Sequence, residues 1–107
     1  ALGLGDIGLH FPNTSPAYKD IDSKILLQRS HKLIREKGYA IVNIDSTILL
    51  QEPKILPYMD GMRAAIAQTL RIPCADISIK ATTTEQMSFV GREEGIVALA
   101  NVLLRKY

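Results

Sequence analysis

The chain has 107 residues, of which 47% are hydrophobic and 22% are charged, and its formal net charge is +2. These values predict one folded domain at most and exclude a disordered tail, which combines low hydrophobicity with high net charge. No apolar stretch approaches the ~18 residues of a membrane-spanning helix, and opposite charges alternate where a nucleic-acid-binding protein would cluster basic residues. We therefore expect neither a membrane nor a nucleic acid among the partners of the chain.

The first half of the chain predicts a loop, a helix and a strand. Three glycines and two prolines among the first twenty residues predict the loop. Aliphatic residues at helical spacing predict a helix over Lys24–Lys37, with Asp22 or Ser23 as N-cap and Gly38 as the C′ glycine. Tyr39–Gln51 then alternates with a period of two and is predicted as a strand. Its apolar face carries Val42, Ile44, Ile48 and Leu50, and its polar face carries Asn43, Asp45 and Thr47.

The second half predicts a helix over Tyr58–Leu70, a strand over Asp76–Ala81, a loop over Thr82–Gly91 and a final helix over Glu93–Arg105. We expect Cys74, the single cysteine, to be a small packing residue in a protein of a reducing compartment. Two strands joined through a helix are parallel when they are neighbours in one sheet, and two strands alone rarely form a stable sheet. We therefore expect further strands from a neighbouring subunit or from sequence upstream of Ala1.

Four segments carry residues suited to ligand binding. Glycines in Gly5–Gly8 allow close backbone approach, and Asp6 could accept hydrogen bonds from sugar hydroxyls, although a simple turn explains the same residues. Lys54, between two prolines, could meet a phosphate or a base carbonyl, with a plain strand-to-helix connection as the alternative. Lys80–Glu85 offers three threonine hydroxyls for phosphate oxygens and a carboxylate for Mg²⁺ or Mn²⁺, but threonines also suit a β-strand.

The fourth segment is Phe89–Arg92, where Arg92 at the start of the predicted last helix would favour an anion. The two histidines have no metal-ligand partner at useful spacing. We expect His10 in the loop and His31 on the exposed side of the first helix to have solvent or packing roles.

The segments occur in a fixed order as Gly-Asp-Ile-Gly-x-x-Phe-Pro (Gly5–Pro12), Pro-Lys-x-Leu-Pro (Pro53–Pro57), Lys-Ala-Thr-Thr-Thr-Glu (Lys80–Glu85) and Phe-x-Gly-Arg-x-Glu-Gly (Phe89–Gly95). Together they resemble the C-terminal two-thirds of the 2-C-methyl-D-erythritol 2,4-cyclodiphosphate synthase family of the non-mevalonate isoprenoid pathway. The resemblance covers essentially the whole chain. It implies an α+β fold with a mixed sheet, helices on the outer face, and sheets packed about the three-fold axis of a homotrimer with active sites at subunit interfaces.

The resemblance also implies the reaction, in which the 2-phosphate of 4-diphosphocytidyl-2-C-methyl-D-erythritol 2-phosphate attacks the β-phosphorus of the diphosphate and CMP leaves. Such chemistry depends mainly on positioning and charge stabilisation. Thr83 would stabilise the transition state, and Glu85 would hold Mg²⁺ or Mn²⁺ on the diphosphate. The implied cytidine pocket, contributed by the adjacent subunit, comprises Leu50, Gln51, Glu52, Pro53, Lys54, Ile55 and Leu56 with Thr82 and Thr83.

The remaining implied substrate contacts lie at the two ends of the chain. The erythritol portion would contact Asp6, Ile7 and Gly8, with Phe11, Pro12, Asn13, Thr14 and Ser15 beside it, while Thr84, Phe89 and Arg92 would lie near the phosphates and the trimer axis. Two residues depart from the family pattern, since Asn13 stands where Asp is usual and Ser88 where Gly is common. The resemblance further implies a cytoplasmic bacterial enzyme, with a plastid location left open.

The family also implies Zn²⁺, held by an Asp-x-His pair and a further His. We expect these ligands upstream of Ala1, because the chain begins without Met as if cut from a longer sequence and neither His10 nor His31 has suitable spacing. The 107 residues would then be a single domain without its N-terminal strands and zinc-ligand segment. Two alternatives are a catalytically silent trimeric nucleotide-binding module and a generic phosphate-binding α+β domain without preference for cytosine.

Overall fold

A three-stranded mixed sheet organises the molecule in the computed structural model, which describes all residues 1–107. The strands are β1 (Tyr39–Leu49), β2 (Ile77–Thr82) and β3 (Val97–Lys106), in the order β2-β1-β3. β1 runs parallel to β2 and antiparallel to β3. The predicted parallel pairing and the α+β class with a mixed sheet are confirmed.

Four α-helices accompany the sheet: α1 (Ile7–His10), α2 (Ser23–Glu36), α3 (Met59–Leu70) and α4 (Ser88–Gly91). α2 begins as predicted, because an Asp22 carboxylate oxygen accepts a hydrogen bond from the Lys24 N–H at 2.9 Å. It ends before Gly38, whose φ of 84° requires the conformational freedom of glycine. α1 and a 3₁₀ turn at Pro16–Tyr18 interrupt the predicted N-terminal loop.

The two faces of the sheet differ in what covers them. The register puts Ile44, Ile48 and Ile77 on one face, and α2 and α3 pack against this side of β1 and β2. Arg63 of α3 fastens the helix to the start of β2, since its guanidinium donates to the carbonyls of Ile77 and Cys74 at 2.9 Å each. No element of the chain covers the opposite face, which carries Asp45, Thr47 and Lys80 together with Leu99 and Leu103, each leucine 57% exposed.

The predicted final helix over Glu93–Arg105 is wrong, because this segment forms strand β3. β3 pairs with β1 from Tyr39↔Lys106 to Leu49↔Val97. This pairing along the edge of β1 outweighs the local sequence pattern, which also fits a helix. The chain therefore supplies its own third strand. The expectation that all further strands come from elsewhere is wrong to that extent.

Two smaller expectations also fail. Val42 is not part of the regular alternation of β1, because the register shifts between Ile41 and Asn43 and Val42, unpaired at this bulge, is 37% exposed. Cys74 is not a packing residue but an exposed thiol, since it begins a 3₁₀ turn, Cys74–Asp76, on the surface between α3 and β2.

The buried core is small. Only Leu50, Leu70, Ile77 and Val90 are buried, and none of the buried side chains is polar. Thirteen large hydrophobic side chains are exposed, several of them on β3. No helix has both the length and the apolar character needed to cross a membrane. A chain that buries so little of its apolar surface leaves area available for contacts with further protein.

Candidate active site

The carboxyl ends of β1 and β2 lie side by side and bring two predicted segments together. Leu49 pairs with Thr82, and the Leu50 N–H donates to the Thr82 carbonyl at 3.0 Å. Parallel strands end at the same edge of a sheet, and ligands of α/β sheets commonly bind at that edge. The predicted cytidine segment and the threonine segment therefore meet within one chain.

A cavity of about 220 Å³ lies at this edge. It is smaller than the ~300 Å³ lower range of typical ligand pockets, so it accommodates part of a ligand, such as a single-ring base. Lys54 lines it with an exposed ammonium that forms no salt bridge within the chain. The lining residues are Leu50, Gln51, Pro53, Lys54, Ile55, Leu56, Ala81, Thr82 and Thr83.

Eight of these nine residues belong to the predicted cytidine pocket. The ninth, Ala81, was not predicted as a lining residue, and Glu52, which was, does not line the cavity. Glu52 is exposed, and its bond to Pro53 is cis.

The threonine hydroxyls that follow β2 have different hydrogen-bond partners. Thr83 Oγ1 accepts from the Glu85 N–H at 3.2 Å, whereas Thr84 Oγ1 donates to the Met87 carbonyl at 2.6 Å. Thr82 Oγ1 donates to the Thr83 carbonyl at 3.2 Å. Thr82 and Thr84 thus use their hydroxyl protons within the loop, while the Thr83 hydroxyl is an acceptor there and keeps its proton for a ligand oxygen. Thr83 is the threonine best suited to donate to a phosphate.

Glu85 is exposed and its carboxylate has no hydrogen-bond or salt-bridge partner. Mg²⁺ usually binds through one or two carboxylates together with substrate phosphates and waters, so a single free carboxylate beside Thr83 fits such a cation on a diphosphate. Zinc does not fit the residues present. The chain forms no group of three or more His, Cys, Asp or Glu side chains that could hold a metal ion.

Gln86 and Gly91 belong to the site although the sequence reasoning assigned them no role. The Gln86 N–H donates to Gln51 Oε1 at 3.0 Å, which joins the loop after β2 to the pocket. A Cβ on Gly91 would lie 2.2 Å from the carbonyl carbon of Gln86, so only glycine fits there. The Phe-x-Gly-Arg motif contains this glycine. Glycine is required at this position of the motif because of the close contact with the Gln86 backbone, and the spacing of residues in the sequence does not reveal that contact.

Arg92 is not at the start of a helix, so the predicted effect of a helix dipole on it is wrong. It caps the end of α4, and its guanidinium forms two hydrogen bonds with the Glu94 carboxylate, at 2.9 and 3.2 Å. Glu94 therefore competes with any phosphate for Arg92. Phe89 is 45% exposed and packs against Gly95.

The predicted erythritol segment, Asp6–Ser15, is not joined to the pocket. Asp6 caps α1, since its Oδ1 accepts from the Leu9 N–H at 2.9 Å. All hydrogen bonds of the segment stay between residues 4 and 18, and Phe11 stacks edge-on against Tyr18 at 5.7 Å. None of its residues lines the 220 Å³ cavity. Of the eight predicted contact residues in this segment, Phe11 and Ser15 are half-buried and the other six are exposed, namely Asp6, Ile7, Gly8, Pro12, Asn13 and Thr14.

The histidines lie apart from the pocket. His10 Nε2 is 2.7 Å from the Leu4 carbonyl, which is a local packing role. The sequence predicted an exposed position for His31, but this residue is half-buried. It lies in the wall of an open groove of about 1000 Å³ between the ends of α2 and α3. Desolvation by burial, followed by the charge of Arg35, lowers the pKa of His31 below its usual value of 6.5.

Comparison with known proteins identifies the family. The YgbB family matches residues 1–105. The chain is 51% identical to 2-C-methyl-D-erythritol 2,4-cyclodiphosphate synthase from Shouchella clausii over 99% of its length, and 55% identical to the enzyme of the same name from Pelodictyon phaeoclathratiforme over 98%. In both cases it spans 67% of the relative.

Solved structures agree with the sequence matches. The bifunctional IspDF from Campylobacter jejuni matches 98% of the chain with a TM-score of 0.94 at 39% identity, and the chain covers 28% of that protein. A CDP complex of IspF from Plasmodium falciparum matches 99% of the chain with a TM-score of 0.86 at 34% identity, with 63% of that protein covered. The resemblance found in the sequence motifs is confirmed, and the chain belongs to the YgbB family, whose curated relatives are 2-C-methyl-D-erythritol 2,4-cyclodiphosphate synthases.

Proposed function

We propose that the protein containing this chain is a 2-C-methyl-D-erythritol 2,4-cyclodiphosphate synthase. It converts 4-diphosphocytidyl-2-C-methyl-D-erythritol 2-phosphate into the cyclic diphosphate and CMP. The observation that carries the proposal is the small cavity at the end of β1 and β2, lined by the predicted cytidine residues with Thr83 at its edge. A relative with the same fold is described as a CDP complex, which agrees with a cytidine diphosphate ligand.

The proposed reaction forms one P–O bond and breaks another. An oxygen of the 2-phosphate attacks the β-phosphorus, and the bond from that phosphorus to the bridging oxygen breaks, so that CMP leaves with the electron pair. The chain's own residues act by positioning and by charge stabilisation. The pocket holds the base. The Thr83 hydroxyl, whose proton has no partner within the chain, donates a hydrogen bond to a phosphate oxygen, and the Lys54 ammonium is available to an anionic or carbonyl group of the nucleotide.

Glu85 would hold Mg²⁺ or Mn²⁺ on the diphosphate, where the cation neutralises charge that develops on the phosphate oxygens. The unpaired carboxylate and its position two residues after Thr83 support this assignment. Asp6, with one carboxylate oxygen engaged by Leu9, keeps the other available for hydroxyls of the erythritol portion. Asn13 can accept and donate hydrogen bonds there but brings no charge.

We also propose that the enzyme is a homotrimer with active sites at subunit interfaces. The uncovered sheet face with Leu99 and Leu103 supports an apolar contact with other subunits. The separation of Asp6–Ser15 from the pocket supports a site completed by a neighbouring chain. Because the chain spans about two thirds of its curated relatives, we propose that the remaining part of the domain and the zinc ligands lie outside the 107 residues. The bacterial origin of those relatives supports a cytoplasmic location.

The direct test is release of CMP from the named substrate by the full-length protein. We expect CMP and the cyclic product in equal amounts. A silent nucleotide-binding module would bind CDP without releasing CMP, and a generic phosphate-binding domain would bind ADP and UDP as well as CDP. A competition series with the four nucleoside diphosphates separates these alternatives.

The role of Glu85 has its own test. We expect Glu85→Ala to weaken Mn²⁺-dependent CDP binding by about tenfold, which corresponds to ~1.4 kcal/mol, while CMP binding changes little. Calorimetric titrations of CMP and CDP with and without Mn²⁺ measure both effects. Equal losses for the two nucleotides would contradict the assignment of Glu85 to the cation.

A further inference from the structure

We infer that Gln51 is a positioning residue that couples occupancy of the base pocket to the placement of the Glu85 carboxylate. The inference deepens the proposed function and rests on it. It concerns a residue that lines the cavity and whose side chain holds the cation loop, residues 82–86.

The coupling depends on one hydrogen bond between two loops that are 35 residues apart in sequence. Gln51 is half-buried, lines the cavity, and accepts the Gln86 N–H on its Oε1 at 3.0 Å. Its side-chain NH₂ group forms no hydrogen bond within the chain and is free to donate to a ligand. One residue thus lines the pocket and also holds the loop that carries Glu85.

The backbone that Gln51 holds has an unfavourable left-handed conformation. Glu85 and Gln86 have successive positive φ values of 52° and 65°, a left-handed conformation that residues with a Cβ rarely adopt twice in a row. Gly91 packs closely against the same residue, because a Cβ on it would overlap the Gln86 backbone. Gln86 is therefore held both by its hydrogen bond to Gln51 and by its close packing against Gly91.

Fixing Gln86 also orients its neighbour. The Glu85 carboxylate has no partner of its own, so what the chain fixes is the backbone position from which this side chain extends, which the bond from its N–H to Thr83 Oγ1 also helps to hold. Loss of the Gln51 contact would free this backbone to leave the left-handed conformation. The distance between the base pocket and the carboxylate would then vary, and a ligand that needs both would lose more affinity than a ligand that needs only the pocket.

The experiment compares Gln51→Met with wild type in the full-length protein. Methionine has a similar length and no oxygen acceptor, and Gln68→Met on the exposed side of α3 is the matched control. We expect the Mn²⁺-dependent Kd for CDP to rise about tenfold more than the Kd for CMP in Gln51→Met, because a donor lost from the pocket affects both nucleotides alike, whereas a displaced Glu85 affects only the nucleotide that carries the cation. An equal rise for both nucleotides, or no rise for CDP, would overturn the inference, as would the same rise in Gln68→Met.

A second measurement needs no loss-of-function variant. Hydrogen exchange of the Gln86 amide in the wild type should be slow for a residue in an exposed loop, and Gln51→Glu, which keeps an acceptor oxygen, should keep it slow. Fast exchange in the wild type would overturn the inference even if Gln51→Met fails to fold. If the wild type neither binds CDP nor releases CMP, the proposed function fails together with the inference; if it does both while Gln51→Met behaves like wild type, only the inference fails.

Discussion

The two halves of the proposed site differ in how the chain holds them. The pocket half, residues 50–56 and 82–91, is built on the paired ends of β1 and β2 and is joined by bonds such as Gln51 to Gln86. The N-terminal half, residues 6–15, hydrogen-bonds only to residues near it in sequence. One half is fixed by long-range pairing within the chain, and the other has no long-range hydrogen bond.

This difference explains why residues assigned to one reaction are not gathered into one cleft. Strand pairing commits the backbone of β1 and β2 over several residues, so the pocket follows from the sheet register. A short capped helix such as α1 has only local hydrogen bonds, and these do not fix its position relative to the sheet. The N-terminal half then requires another surface, and under the proposed function a neighbouring subunit provides it.

The largest expected effect tests whether the two halves come from different chains. Asp6→Ala and Thr83→Ala should each lower CMP release by about 100-fold or more in the full-length enzyme, since each removes a group from one half. When the two variants are co-expressed, some interfaces combine an intact Asp6 half with an intact Thr83 half. Activity should therefore recover to roughly a quarter of wild type under random assembly of a cyclic oligomer. Steady-state CMP release from the mixture measures the recovery.

Separately purified variants mixed without subunit exchange are the control for that experiment and should stay inactive. Failure of co-expressed variants to recover, with mixed oligomers verified by mass spectrometry of differently tagged chains, would mean that both halves act within one chain.

The next effect contrasts a glycine from each half. Gly91→Ala should lower the free energy of unfolding by about 1–3 kcal/mol, because the new Cβ would overlap the Gln86 backbone. Gly8→Ala should leave stability unchanged or slightly raised, since its Cβ would meet only Asp6 Oδ1 at 3.7 Å and alanine favours a helix. Denaturant unfolding of both variants measures the contrast. Equal stabilities would show that the Gly91 contact is relieved by a small backbone shift.

The sequence predicted the parts of the fold that depend on local pattern or on neighbouring strands. α2, α3, β1 and β2 were predicted with boundaries within two residues, because capping residues and apolar periodicity mark them. Strand β3 was not predicted, since acidic residues before this segment and a stripe of aliphatic residues within it also fit a helix. What decides its structure is pairing with β1 over ten residues, a long-range interaction that no local window contains.

The candidate site follows the same division. The motifs that resemble the family predicted the residues of the pocket, and the structure brings eight of them together. The partial burial of His31 and the exposure of Cys74 were predicted wrongly, because the first depends on the groove between α2 and α3 and the second on the turn between α3 and β2. The contact of Gln51 with Gln86 was not predicted at all, since it joins positions 35 residues apart through a single backbone N–H.

A smaller effect concerns Ser88 of the pocket half, at a position where the family resemblance implies glycine. Ser88 has a φ of 64°, a conformation that glycine adopts without strain. Ser88→Gly should relieve strain but add entropy to the unfolded chain, for a net gain of at most about 1 kcal/mol. Thermal unfolding measures this change in stability. Gly61→Ala at an exposed position of α3 is the control, because it replaces glycine by a residue with a Cβ where the backbone is helical. A loss of stability in Ser88→Gly would mean that the serine side chain contributes more than its backbone costs.

The smallest effect concerns the ion pair that links the two strands of the pocket half across the polar face of the sheet. The Lys80 ammonium donates a hydrogen bond to Asp45, and this bond lowers the pKa of Asp45 below its usual value of 3.8. Since the folded state binds the proton less readily than the unfolded state, the pair stabilises the fold above pH 3.8, and this contribution is lost as the pH falls through the lower folded pKa. Asp45→Asn should therefore flatten the acid-side decline of stability, with a small amplitude because both groups are solvent-exposed. Denaturant midpoints measured from pH 5 to pH 2.5 provide the comparison. Parallel declines for variant and wild type would place the acid sensitivity outside β1 and β2.

Asp22→Asn at the N-cap of α2 would then test the N-terminal part of the chain. The pKa of the Asp22 carboxylate is also lowered, chiefly by the hydrogen bond from the backbone N–H of Lys24.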